Sequence, residues 1–381
     1  MATLVDYGTQ EQAMQAYLRE GRERALALGN RGPIRFTDDG GLHPEIVEAY
    51  ERCGFYVFEG VLSAAELADM EADLHDILDR IPTGPDAKVD RKGRPALGSD
   101  RNWPVALWSK PLGDPFGGTD QAQGRHPVKM FEPEPAAETP AEIAYLILAP
   151  LQYSDAALGL YGHPELLRVA AAINGEDFVP FNEAIIIKKP GEGASFAWHQ
   201  DGVTHWQSPD WDPGTHGFNF MAQLYGCTAA NGVWYVPGSH RMGKCDIKAM
   251  IAEAGTERLP QAVPMLCQPG DVAISNRQVI HGSFANTSAD WRVTFNFGFH
   301  RHRSVLGATA FGIDGKPATY DAERIRKRSE AIGYGIAARR KRFPDEPSFA
   351  YRPQAEDGER YCSSHDPRAA IRDYNLLDLI L

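Results

Sequence analysis

After Phe178 the chain breaks into short apolar runs, each closed by a turn signal: EAIIIKKPGEG, SFAWHQD, FNFMAQLYG, NGVWYVPGSH, DVAISNRQVIHGS and WRVTFNFGFH. Runs this short, punctuated by Gly, Pro and Asn-Gly, satisfy their backbone groups only by pairing with other strands, which predicts an antiparallel sandwich or barrel. The expected class is therefore α+β with a mainly β core. Helical spacing is confined to the flanking segments. In SAAELADMEADLHDILDRI, Ser63 and Glu66 form a capping box, and Leu67, Met70, Leu74 and Ile77 recur on one face. EQAMQAYLREGRERALALG and HPELLRVAAAIN also read as helices. From Pro82 to about Pro140 the chain is rich in Pro, Gly and charge, the composition of long loops that often carry function. ARRKRF, Ala338 to Phe343, reads as a solvated helix face. The expected division is an N-terminal helical extension over 1–45, a core domain over 46–311 and a C-terminal extension over 312–381. The two tails are candidates for a lid or a homodimer interface.

Composition excludes several classes. With 381 residues, 43% of them hydrophobic, the chain has ample material for a core. Its net charge of −12 argues against a phosphate-backbone partner, so no nucleic acid is expected. No apolar stretch approaches the ~20 residues of a membrane span. MATLVDYGTQEQ lacks the basic flank and apolar run of a signal peptide, so a cytoplasmic protein is expected. Cys53, Cys227, Cys245, Cys267 and Cys362 are odd in number and contain no CxxC pair, so reduced thiols are expected rather than a zinc ribbon or a thioredoxin-like site.

SFAWHQDGVTHW carries the first chemical signal. On a strand, residues two apart share a face, so His199 and Asp201 aim at one spot while Trp198 and Gln200 face away. Alone, this HxD is equally the signature of a His–Asp hydrogen bond that satisfies a buried imidazole. QVIHGSFANTSADWRVTFNF adds two features. His281 ends an apolar run, and after a turn Arg292 begins a strand on which Val293, Phe295, Phe297 and Phe299 alternate with Arg292, Thr294 and Asn296. A guanidinium aimed inward beside an apolar wall needs an anion. Two imidazoles and a carboxylate on one face of Fe(II) leave three open positions. A 2-oxo acid fills two of them, O2 takes the third, and an arginine holds a distal carboxylate.

His240, in PGSH, is a rival third ligand, but it follows a turn and no cation comes after it at a comparable spacing. His205 and His216 read as loop histidines, with His205 also a candidate for the substrate entrance. Gln223 shares a face with Asn219, Met221 and Tyr225 and is a candidate contact to cosubstrate or substrate. Trp206 and Tyr225 join His205 as substrate candidates. Trp206 and Trp211, on the segment Gly202 to Gly217, read either as an aromatic lid at the mouth of the barrel or as simple loop packing. Lys188 and Lys189 read as surface ion-pair partners, and Trp198 as core.

The region from about Gly54 to Arg303 resembles the phytanoyl-CoA dioxygenase family of Fe(II)/2-oxoglutarate oxygenases. The residues that carry the resemblance are His199-Gln200-Asp201, Asn231-Gly232, VPGSH, Pro269-Gly270-Asp271, His281-Gly282-Ser283 and Arg292, eleven residues beyond His281. GFYVFEGVLSAAEL and HPELLRVAAAI are also similar to this family. The resemblance implies a double-stranded β-helix, a cupin-like jelly roll, with helices packed on one side. It implies His199, Asp201 and His281 as iron ligands and Arg292 on the distal carboxylate of 2-oxoglutarate with Ser283 beside it. The function it implies is hydroxylation of a small organic molecule (a natural product, an amino acid or an acyl derivative) with release of succinate and CO2. Asp201 occupies the position that related halogenases leave open for chloride, so halogenation is not expected. Desaturation or cyclisation at the same iron, a cupin-type metalloenzyme that needs no 2-oxo acid, and a non-catalytic binding protein are the alternatives.

Overall fold

The computed structural model describes residues 5–201, 216–311, 317–357, 361 and 367–372. Its strands are β1 (Arg31–Gly32), β2 (Phe55–Phe58), β3 (Ala106–Ser109), β4 (Ile143–Leu148), β5 (Val179–Lys188), β6 (Phe196–His199), β7 (Gly217–Gln223), β8 (Trp234–Tyr235), β9 (Val263–Pro264), β10 (Val272–Asn276), β11 (His281–Ser283) and β12 (Arg292–His300). The helices are α1 (Glu11–Ala27), α2 (Pro44–Cys53), α3 (Ala64–Arg80), α4 (Asp155–Tyr161), α5 (Pro164–Asn174), α6 (Ile247–Ala254) and α7 (Ala322–Arg342).

These twelve strands form two sheets, and Thr309–Phe311 pairs with Pro317–Thr319 in a separate two-stranded one. The larger runs β1-β2-β10-β7-β12-β5-β4-β3 and the smaller β6-β11-β8-β9. All these pairs are antiparallel except β1 with β2. This is the two-sheet jelly roll that the alternating short runs predict, left open rather than closed into a barrel.

Strand alternation sorts the larger sheet into two faces. On β12, Val293, Phe295, Phe297 and Phe299 enter the main core, with Ile185 and Ile187 of β5 and Phe218 and Phe220 of β7. Apolar residues of α2, α3, α4, α5 and α7 complete that core from outside. The opposite face carries Arg292, Asn296, Asn219 and Met221 and looks toward the smaller sheet across a cavity. The smaller sheet buries its outer face against α1 and α6, where Tyr17 stacks on Trp234 at 4.4 Å between ring centroids.

The capping box of α3 is present, with Ser63 accepting from the Glu66 amide and Glu66 accepting from the Ser63 amide. Met70, Leu74 and Ile77 are fully buried beneath it. Glu66 has a second task that the sequence did not announce. Its carboxylate pairs with Arg339 of α7, which also holds Glu346. ARRKRF is thus not a uniform solvated face: Arg339 is buried while Arg340, Lys341 and Arg342 are exposed. The run follows the helical turn, so one of its cations points inward. Removing one partner of such a pair strands the other charge. Arg339→Ala is expected to lose about 3 kcal/mol of unfolding free energy. Arg340→Ala should stay within about 0.5 kcal/mol of the parent, and urea unfolding of the two variants checks the contrast.

Candidate active site

Pairing of β6 with β11 puts His199 directly opposite His281. Their ring centroids are 4.1 Å apart. Each ring is held by a short local bond: Nδ1 of His199 donates to the Ala197 carbonyl at 2.8 Å, and Nδ1 of His281 to the Val279 carbonyl at 3.0 Å. With Nδ1 protonated, each Nε2 presents a lone pair. Both point at Asp201, whose Oδ1 lies 3.5 Å from His199 Nε2 and whose Oδ2 lies 3.9 Å from His281 Nε2. The three donor atoms lie within 4.8 Å of one another, and all three residues are buried.

The electrostatics suit a cation. Burial raises the Asp201 carboxyl, but the polar and cationic groups around it, Arg125 among them, outweigh that and hold the group well below the usual carboxylate range. Burial, then the neighbouring His199, lowers His281 to about 4, so its ring is neutral at pH 7. Asn219 orients the carboxylate by donating Nδ2 to Asp201 Oδ2 at 3.0 Å. Two imidazoles, one carboxylate and a second layer of donors fit the facial set used by non-haem Fe(II).

The triad opens into a cavity of about 510 Å³ between the two sheets. Arg292 lines the same cavity and is almost fully buried. Its Nε donates to Thr294 Oγ1 at 3.1 Å and its Nη1 reaches the Asn231 carbonyl at 3.5 Å. Its Nη2 has no hydrogen-bond partner among the described residues. A buried guanidinium with an unmade bond fits an incoming carboxylate. Ser283 also lines the cavity. Gln223 stands behind: its Oε1 accepts from Thr294 Oγ1 at 2.9 Å and its Nε2 donates to the Met221 carbonyl, so it reaches Arg292 through Thr294.

Other expectations need correction. Tyr225 is not among the described cavity-lining residues. β7 ends at Gln223, and the tyrosine hydroxyl donates to Glu71 of α3 at 2.8 Å. Lys188 is fully buried, not at the surface. It lies on the inward face of β5 and donates Nζ to the Phe284 carbonyl at 2.5 Å, while Lys189 pairs with Glu192. His216 is a loop histidine just before β7, half-buried, and it bridges Asn174 at 2.6 Å and Tyr50 at 3.1 Å. His240 bonds the Glu51 carbonyl, away from the triad. His205, Trp206 and Trp211, with the lid assigned to them, lie outside the described residues.

The Pro- and Gly-rich segment before β4 supplies residues that periodicity does not reveal. His126 packs on His199 with ring centroids 4.1 Å apart and stacks on Phe116 at 5.1 Å. Arg125 approaches Asp201 Oδ1 at 3.6 Å. Arg277, just after β10, is a further cavity-lining cation. Composition marked the first segment as a long loop, and nothing local marked which side chains turn inward.

Residues 123–294 match the family model described as phytanoyl-CoA dioxygenase. The matched segment holds His199, Asp201, His281 and Arg292 and is similar to the phytanoyl-CoA dioxygenase family. Iron is the cofactor and 2-oxoglutarate the cosubstrate of this dioxygenase class, and the donor set and the arginine fit both. Among solved structures, EctD from S. alaskensis with 2-oxoglutarate and 5-hydroxyectoine is 20% identical, covering 74% of this chain and 83% of that one with a TM-score of 0.50. AviO1 from Streptomyces viridochromogenes Tue57 is 21% identical over 67% of this chain and 92% of that one, TM-score 0.44. EvdMO1 is 23% identical over 66% of this chain, TM-score 0.43, and the match spans about half of its length, 48%. At these identities the likeness to EctD supports the fold. No curated protein matches the chain significantly.

An anaerobic Co(II) titration is expected to show one bound ion per chain. Asn219→Ala leaves all three donors in place and should weaken the ion by about 10–100-fold, the usual effect of losing an orienting partner. His199→Ala and His281→Ala should weaken it more, and His240→Ala should not. Loss with His240→Ala and retention with His281→Ala would reassign the third donor.

Proposed function

We propose that this enzyme hydroxylates a small organic molecule, with His199, Asp201 and His281 holding Fe(II) and Arg292 binding the distal carboxylate of 2-oxoglutarate. The observation that carries the reading is the buried Nη2 of Arg292, without a partner among the described residues, in the cavity onto which the triad opens. When bound, iron and 2-oxoglutarate supply O2 activation coupled to oxidative decarboxylation, which yields succinate and CO2. The protein's part is positional. The carbonyls of Ala197 and Val279 fix both imidazoles in the Nδ1–H form. Asn219 turns the Asp201 carboxylate. Thr294 and Gln223 hold the guanidinium plane of Arg292, so its free edge is oriented before cosubstrate arrives. Ser283 adds a hydroxyl beside it. Leu146, Leu148, Ile186 and Phe196 give the cavity a dry wall, which strengthens every polar contact inside.

The same reading assigns the core to 46–311, which encloses the matched segment 123–294, with 1–45 and 312–381 as extensions around it. It assigns the enzyme to the cytoplasm, acting without nucleic acid or membrane. Support comes from the net charge of −12 and from the lack, among the described residues, of any helix long and apolar enough to cross a membrane. Hydroxylation is the default outcome, and desaturation and cyclisation are distinguished from it by product mass.

The deciding variant is Arg292→Ala. Leaving a desolvated carboxylate without its buried partner costs roughly 3–5 kcal/mol, so 2-oxoglutarate affinity should fall by on the order of 10²–10³. Arg292→Lys should rescue in part, since an ammonium lacks the planar fork. Metal affinity and the melting temperature without cosubstrate should hardly change. An unchanged 2-oxoglutarate affinity with a large loss of melting temperature would make Arg292 a structural ion and remove the basis of the reading.

A further inference from the structure

Cys227 and Cys267 have no part in the proposed function. They follow β7 and β9, and they face each other in an isolated antiparallel bridge. Each amide donates to the other's carbonyl, Cys227 to Cys267 at 2.9 Å and Cys267 to Cys227 at 3.1 Å. Two residues that exchange both bonds have Cα atoms about 5.5 Å apart and side chains on one face. That separation lies inside the range of about 4.4–6.8 Å that a disulfide spans. Both thiols are free in this structure. The close approach is built into the preceding residue. Gly226 has a φ of 80°, and a Cβ on it would lie 2.6 Å from the Cys267 carbonyl oxygen.

The two sulfurs are not equivalent. The Cys267 thiol donates to the Cys227 sulfur, which lowers the pKa of Cys227 and raises that of Cys267. Burial opposes the shift at Cys227, and the positive charge of Arg292 reinforces it. Cys227 is therefore the thiol that ionises first, and Cys267 is held against it as a resolving partner. Cys53 shares the same apolar cluster but lies at the end of α2, outside the bridge. Cys245 is partly exposed and its thiol turns to the Gly243 carbonyl.

We propose that Cys227 and Cys267 form a redox pair that a peroxide closes to an intramolecular disulfide and a dithiol reopens. The Cys227 thiolate attacks one oxygen of hydrogen peroxide and the O–O bond breaks. The other oxygen leaves as hydroxide and takes up the proton that Cys227 released, giving water and a Cys227 sulfenic acid. The Cys267 sulfur then attacks the sulfenic sulfur and the S–O bond breaks. The departing hydroxide takes the Cys267 proton and leaves as a second water. Two electrons pass from the two thiols to the peroxide. Closure asks the paired Cβ atoms to approach by about 1 Å. Both cysteines are buried, so the oxidant must be close to water in size, as hydrogen peroxide is.

The test uses the full chain with Zn(II) in place of iron, since zinc does no redox chemistry of its own. Reduced protein is exposed to hydrogen peroxide, alkylated and digested with trypsin. Arg241 and Arg258 separate the two cysteines, so their disulfide joins two tryptic peptides. The expected result is that cross-link as the main product, with the titratable thiols falling by two from the chain's five. The folded transition should persist on heating, and dithiothreitol should restore both thiols. In Cys267→Ser the resolving sulfur is gone, and dimedone should trap Cys227 as the sulfenic acid. If that variant does not fold, the peptide map of the parent decides by itself. Absence of the cross-link from the folded protein overturns the proposal, whether the thiols are retained, overoxidised or paired with another cysteine. So does a Cys227–Cys267 bond that forms only when peroxide is added in urea.

Discussion

The pairing of β6 with β11 is the constraint on which the site depends. It sets His199 against His281 and holds the chain so that Asp201 follows on the same side. A slip of one residue would turn every side chain of a strand to the opposite face, putting the imidazoles in the core and the tryptophan in the cavity. Trp198 guards against that slip. It is fully buried on the far side of β6, donates Nε1 to the Glu257 carbonyl at 2.7 Å and packs edge-on against Phe284. Gly282 allows the two strands to approach, since a Cβ there would lie 3.0 Å from the Phe196 carbonyl oxygen and 3.2 Å from the Trp198 Cα.

The larger sheet contributes by contrast between its faces. Its outer face is an aromatic and aliphatic core under a layer of helices, and its inner face holds Arg292, Asn219 and Asn296. Burying guanidiniums costs desolvation, and burial lowers the pKa of both Arg292 and Arg277. The folded state bears that cost because the helix-side packing is extensive. An anion that completes the unmade hydrogen bond of Arg292 Nη2 recovers part of it, so binding and stability are linked in this cavity. A protein with a net charge of −12 thus sets Arg292 among the described residues that line this cavity.

Features that depend on spacing along one element were legible before any fold was known. Two-residue spacing put His199 and Asp201 on a common face, and alternation divided β12 into an aromatic face and a face with Arg292, Thr294 and Asn296. The capping box announced α3 through Ser63 and Glu66, because cap and first turn are contiguous in the chain. In each case the informative partners lie within a few residues, and backbone geometry alone relates them.

The convergence of distant segments belongs to the tertiary structure. His126 and Arg125 reach the metal site from a loop without periodicity, and Arg277 follows a strand end with no local sign that it turns inward. Tyr225 was assigned the face of Gln223, but β7 stops at Gln223 and Gly226 turns the chain with a φ of 80°, which sends the tyrosine to Glu71. Lys188 reads as a surface cation, yet it ends β5, an interior strand of the larger sheet, and is buried with it. By itself the sequence determined the class of fold, the His–Asp pair and the inward arginine, since periodicity is a local property of the backbone. Only the folded chain decided which remote cations and rings share the cavity, because loop closure and sheet packing bring together residues whose spacing in sequence carries no information about their distance in space.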